Sequence, residues 1–148
     1  MRPRRIYLPL THGQLRALAA DRRLVAPLEG YTAGSPGRVD ARISPAAAEE
    51  EAEYLAFVAA SDHATSLSAG SRRVIASADV APGSVRESSD PQSAGPVAVL
   101  LGEDVPLRAV VSLHVDEEGA TAESADPDLL WYDITELATV IDDLGLEH

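Results

Sequence analysis

The chain has 148 residues, an apolar fraction of 45% and a formal net charge of −12. It contains no lysine, cysteine or asparagine, which excludes Schiff-base and P-loop lysine chemistry, thiol nucleophiles, thiolate metal sites, disulfides and N-glycosylation. The missing residue types have AT-rich codons and the abundant Ala, Arg, Gly and Pro have GC-rich ones, so a high-GC bacterial genome accounts for the bias.

In chain order, Arg5-Ile6-Tyr7-Leu8 predicts a first strand with Pro9 at its end. Thr11-His12-Gly13-Gln14 has the form of a capping box, and Leu10 and Leu15 sit where a hydrophobic staple needs them. The helix that follows shares Leu15, Leu18 and Ala19 on one face and is expected to fade near Asp21-Arg22-Arg23. Leu28 to Ala33 predicts a second strand, followed by a Gly/Ser/Pro loop. Ser44-Pro45 announces the longest helix, with Ser as cap and Pro at the first helical position. Its expected core face is narrow and alanine-rich: Ala48, Ala52, Leu55 and Ala59. Arg73 to Val80 is the clearest strand, and residues 87–96 read as a loop. Val97 to Leu101 and Val110 to Val115 are two more strands, the latter led in by Val105-Pro106-Leu107-Arg108. Residues 116–128 are acidic and expected to be poorly ordered. Leu129-Leu130-Trp131-Tyr132 resumes order, and Asp133-Ile134-Thr135-Glu136 forms a second capping box before a helix that Gly145 stops.

This order lacks strict strand–helix alternation, so the expectation is an α+β domain: a mixed or mainly antiparallel sheet packed by about three helices. One domain over residues 1–145 fits the length. Leu146-Glu147-His148 reads as an expression-tag remnant. No apolar run approaches the ~20 residues that span a bilayer, and the basic N-terminus lacks the apolar stretch of a signal peptide. A cytoplasmic protein without membrane contact is expected.

Charge is uneven. Residues 1–43 carry eight arginines against three acids, and the remainder four arginines against 21 acids. So acidic a chain is poorly suited to nucleic acid. The asymmetry suits charge complementarity within the fold or between protomers.

Motifs for hydrolysis, nucleotide binding and zinc are missing from the sequence. His114-Val115-Asp116 would point two ligands the same way on a strand, but a third is lacking, so no metal and no cofactor are expected. Asp62-His63, with serines nearby, reads as helix surface. Arg4, Arg5, Tyr7, His12 and Tyr31 form the one place where a base, aromatic rings and cations could converge, beside the N-terminus of the first helix. They are the candidate ligand-binding residues. Trp131, the sole tryptophan, is expected to be buried in the core or at a subunit contact.

Several stretches resemble a family of small actinobacterial proteins classed as a domain of unknown function. They are Arg5 to Pro9, Glu49 to Tyr54, Arg72 to Val80, Val105 to Asp116 and Leu129 to Tyr132. The resemblance implies no activity, cofactor or catalytic residue. The strand–helix–strand opening and the Val105-Pro106-Leu107-Arg108-Ala109-Val110 strand also resemble ADP-ribosyltransferase-like folds, which would put Tyr7, His12 and Tyr31 near a nucleotide cleft. A matching acidic catalytic motif is lacking. The sequence therefore favours a non-catalytic domain acting through a protein partner or self-association. The alternative is a nucleotide- or phosphate-metabolite-binding domain or enzyme.

Overall fold

Strict alternation in the first strand sets the layering of the molecule. In the computed structural model, which describes residues 3–33, 45–68, 72–87, 96–117 and 129–146, β1 (Arg4–Leu10) buries Ile6, Leu8 and Leu10 completely. Arg5 and Tyr7, two residues apart, belong to the other face. β1 extends past Pro9 to Leu10 and pairs with β4 (Val74–Val80) along its whole length. Pro9 forfeits only an N–H there and keeps its carbonyl as an acceptor.

The other strands of the main sheet are β3 (Leu28–Thr32), β5 (Val85–Glu87), β6 (Val97–Leu101), β8 (Val110–Val115) and β9 (Leu130–Asp133). They lie in the order β5-β6-β3-β1-β4-β8-β9, and every pairing is antiparallel. β2 (Arg23–Leu24) and β7 (Val105–Pro106) form a separate short ladder. The fold is thus α+β, with an antiparallel sheet and three α-helices among the described residues.

Helices cover both faces. α1 (His12–Asp21) and α3 (Leu137–Asp143) lie on the apolar face, where Leu15, Leu18, Leu137, Val140 and Ile141 join Ile6, Leu8, Val74, Val99 and Leu113 in the main core. Each such fully buried aliphatic side chain is worth about 1.5–3 kcal/mol. Both capping boxes form. The Thr11 hydroxyl accepts from Gln14 N–H at 3.0 Å while Gln14 Oε1 accepts from Thr11 N–H at 2.8 Å. Asp133 and Glu136 do the same around a 3₁₀ turn, Ile134–Glu136, that leads into α3. Gly145, at φ 70°, closes the C-terminal end. Its N–H donates to the Asp142 carbonyl and Leu146 N–H to the Ile141 carbonyl, both at 3.0 Å, which is a Schellman arrangement. Leu146 packs on the core; Glu147 and His148 lie outside the described residues.

α2 (Pro45–Ser68) lies on the opposite face, mainly across β1, β3 and β4. Its cap residue, Ser44, lies outside the described residues, as do residues 88–95 of the expected 87–96 loop. The buried stripe of α2 is Ala56, Ala60, Ser61 and Ala64, not the expected Ala52, Leu55 and Ala59, of which Leu55 is 39% exposed; the side chain of the fourth expected residue, Ala48, lies outside those described. So many alanines recur along this helix that apolar periodicity does not select one stripe. What orients it is a polar anchor. Arg73 donates to Asp116 Oδ1 at 2.8 Å through NH2 and to Oδ2 at 2.9 Å through Nε, and reaches Ser61 Oγ on α2 at 3.0 Å through NH1. Both ionic side chains are 4% exposed.

Asp116 therefore does not begin a poorly ordered loop. Residues 118–128 lie outside the described residues, but Asp116 itself is fixed from three sides. Its side chain also accepts from Arg73 N–H at 2.7 Å, and its carbonyl from Arg72 Nε at 2.8 Å.

No described helix is long and apolar enough to cross a membrane.

Candidate functional site

Antiparallel register brings the polar residues of the α2 face together. Arg5 is paired with Asp79 across the β1–β4 ladder, and Tyr7 with Tyr31 across β1–β3. Arg5 donates to both oxygens of Asp79, at 2.6 Å from Nε and 3.2 Å from NH2. That hydrogen bond is the main reason the guanidinium pKa is raised, against the effect of burial. Burial is the largest cause of the raised Tyr7 pKa, and the charge of Glu53 adds to it.

Toward the β9 edge of the same face, His114 of β8 pairs with Trp131 of β9. Because α2 crosses β1, β3 and β4, it leaves this end of the face uncovered. A cleft of 410 Å³ opens there. Its floor is Tyr7 and His114, and its rim is Leu129 and Trp131. The wall is a stripe of α2 at helical spacing: Glu50, Glu53, Tyr54 and Phe57. Phe57 is the hinge of the aromatic lining, with its ring 5.9 Å from Tyr7 and 5.0 Å from His114, both edge-to-face.

His114 is held neutral. Burial first, and then the charge of Arg5, lower its pKa to about 4. Its Nε2 shares a 3.1 Å hydrogen bond with Ser112 Oγ, and Ser112 shares a short one with Ser77 Oγ across β4–β8. Ser112 is 3% exposed and is not among the residues lining the cleft, so the chain of hydroxyls satisfies buried polar groups of the sheet.

The five residues singled out from sequence divide. Arg5, Tyr7 and Tyr31 share the α2 face. Arg4 and Arg5 line a wider hollow of 620 Å³ that shares Glu53 with the aromatic cleft and also holds Glu49, Asp79 and Thr32. Tyr31 is engaged by α2: its hydroxyl lies 3.1 Å from His63 Nδ1, and His63 Nε2 lies 3.5 Å from Glu29. His63 is accordingly half-buried and not the surface residue its neighbours suggested. His12 stands apart from this group. At the first turn of α1 its Nε2–H donates to the Arg72 carbonyl at 2.9 Å, and it lines neither hollow.

One reading changes in part: Trp131 is 61% exposed in the single chain and so is not a core residue. It sits on the outermost strand, beyond the β1, β3 and β4 strands that α2 crosses. His114 and Asp116 do not act as a ligand pair, because both Asp116 oxygens are taken by Arg73. Among the described residues, no three His, Asp or Glu side chains converge to hold a metal.

The residues that sequence reasoning missed are Glu50, Glu53, Tyr54 and Phe57 on α2, together with His114 in an aromatic setting. Their spacing of three, four and seven along a helix was the available signal. Neither the curated proteins nor the solved structures give a match to this chain. A family model does match, over residues 4–141, and the chain belongs to that family, a family of unknown function (DUF6912).

Proposed function

We propose that the protein is a non-catalytic interaction domain, and that it engages a protein partner through the cleft between α2 and the β8–β9 edge. The observation that carries this reading is Trp131, 61% exposed at the rim of an aromatic-lined cleft, with Tyr54 at 56% on the opposite wall. Large aromatics presented beside a concavity are the residue type on which binding energy concentrates. Leu129, two residues before Trp131, lines the same cleft. A strand with one side of its backbone facing outward adds a second means of holding an extended segment.

The test is photo-crosslinking. Replacing Trp131 with p-benzoylphenylalanine should give an adduct of defined mass in cells, either to a second copy or to another protein. The same replacement at Arg108, which is exposed and does not line the cleft, should give none. Sedimentation at low and high salt then separates self-association from a heterologous partner. A strict monomer without an adduct from position 131 rejects the reading. A nucleotide-dependent rise in Tm that disappears in Arg5→Ala would instead favour nucleotide binding.

Trp131→Ala should leave the fold intact, costing about 1 kcal/mol or less because the ring is mostly in water. A buried tryptophan would cost about 3–5 kcal/mol, so a urea melt separates the two cases.

A further inference from the structure

We propose that the cleft selects a cationic side chain, an arginine or lysine of the partner polypeptide, held between the rings of Trp131, Tyr54 and Phe57 and the carboxylates of Glu50 and Glu53. The inference rests on the docking reading above and adds the chemistry of the occupant.

Charge is the first argument. Glu50 and Glu53 both line the cleft, and neither forms a salt bridge with an arginine among the described residues. The nearest cation in sequence register, Arg5, acts on Glu53 only at longer range and is held by Asp79 in a two-point pair. The other ionisable group on the floor, His114, is neutral at ordinary pH because burial lowers its pKa to about 4. The cleft therefore presents two carboxylates that a cation would neutralise; the cation whose charge reaches its floor, Arg5, does not line it and is already paired with Asp79.

The second argument is the lining. Aromatic faces carry a negative quadrupole that attracts ammonium and guanidinium groups lying within about 6 Å of a ring centroid. Four rings on three elements, Tyr7, Tyr54, Phe57 and Trp131, surround one opening. Rings beside carboxylates are matched to an organic cation, which needs both a charge partner and an apolar wall for its aliphatic stem. A phosphate or carboxylate would meet like charge there.

The third argument is size. At 410 Å³ the cleft takes one long side chain with its adjoining backbone. Its rim is the edge strand β9, where a polypeptide backbone could run alongside. That favours a residue of a chain over a free small molecule.

The experiment uses the full protein and three probes: the peptide Gly-Gly-Arg-Gly-Gly, the same peptide with neutral, nearly isosteric citrulline in place of arginine, and tetramethylammonium chloride. Emission from Trp131, the sole tryptophan, is the readout, with NMR shifts of its indole N–H as a second one. The arginine peptide should perturb Trp131 saturably, with affinity falling as salt is raised. The citrulline peptide should bind about tenfold or more weakly, as should the arginine peptide to Glu53→Gln, since a charged hydrogen-bond partner is roughly twice as strong as a neutral one. Equal binding of both peptides, with Glu53→Gln unchanged, overturns the cation assignment while leaving a docking cleft in place. Tetramethylammonium that binds more tightly than the arginine peptide overturns the polypeptide assignment in favour of a free organic cation. Trp131 unmoved by all three probes overturns the inference, and the crosslink from position 131 then decides whether the docking reading falls with it. Glu53→Gln preserves side-chain shape, and an unchanged Tm confirms that its effect is on binding.

Discussion

Replacing Asp116 with alanine is the sharpest test of how the layers are joined. The Asp116 carboxylate accepts three hydrogen bonds, all from Arg73: the backbone N–H at 2.7 Å, Nε at 2.9 Å and NH2 at 2.8 Å. The substitution leaves a buried guanidinium without its counter-charge and a backbone N–H without an acceptor. Removing one partner of such a pair costs about 3–5 kcal/mol. Ser61 Oγ still accepts from NH1 at 3.0 Å, so the lower half of that range is expected. A total stability of about 5–15 kcal/mol makes this a large share. At about 2–4 °C per kcal/mol for a domain of roughly this size, Tm should fall by roughly 10 °C. The assay is urea and thermal unfolding of wild type, Asp116→Ala, Arg73→Met and the double variant Arg73→Met/Asp116→Leu. If the loss comes from a stranded charge, the double variant recovers at least half of what Asp116→Ala loses. An Asp116→Ala protein within about 1 kcal/mol of wild type, or a double variant no better than the single, refutes the reasoning.

The pH dependence of stability should carry the signature of His114. Its folded pKa of about 4 lies below an unfolded value of about 6.5. The unfolded chain therefore takes up the proton first as pH falls. The stability tied to neutral His114 is complete above about pH 6.5 and is lost progressively toward pH 4, by at most about 3 kcal/mol and less with solvent screening. Urea melts at pH 7, 5.5 and 4.5 should converge for wild type and His114→Gln as pH falls; parallel curves would show that His114 is not the sensor. Gly30→Ala should destabilise by about 1–3 kcal/mol through overpacking. A Cβ there would lie 2.7 Å from Ile6 Cγ2, 2.8 Å from Leu8 Cδ2 and 3.0 Å from the Tyr7 carbonyl. Adding Ile6→Val should recover part of that loss, and an unchanged Tm for Gly30→Ala alone would contradict the close approach of β3 to β1.

Local chemistry was readable from the sequence; long-range pairing was not. Thr11 with Gln14 and Asp133 with Glu136 form caps three residues apart, so the helix starts follow from nearest-neighbour hydrogen bonding. β4 announced itself through a run of small and β-branched residues that only a strand buried on both faces tolerates. Asp116 was misread because its partner, Arg73, lies 43 positions away in sequence, and an acid at the head of an acidic run looks like the start of a loop. The core alternative for Trp131 fails because hydropathy does not tell an edge strand from a central one. The cleft was only partly visible for the same reason. Tyr7 was singled out, but the residues facing it come from α2, β8 and β9, and only strand order brings those elements together. His12 was joined to Tyr7 by proximity in sequence, and the turn into α1 separates the two.

The strand order has a consequence for how the chain folds as it is made. β1, the earliest of the described strands in chain order, lies at the middle of the sheet with three strands on either side of it. Its partner β4 follows only after roughly 60 further residues, about 3–12 s at ordinary rates of synthesis. During that interval Ile6, Leu8 and Leu10 have no β4 to pair with, and most of the apolar face that will cover them has not been made. Nearly all contacts that bury them close long loops, which places the protein among slow-folding topologies. Holding back this one short hydrophobic stretch is therefore the main task facing whatever attends the nascent chain, while the two rim strands, β5 and β9, dock onto a sheet whose centre is already settled.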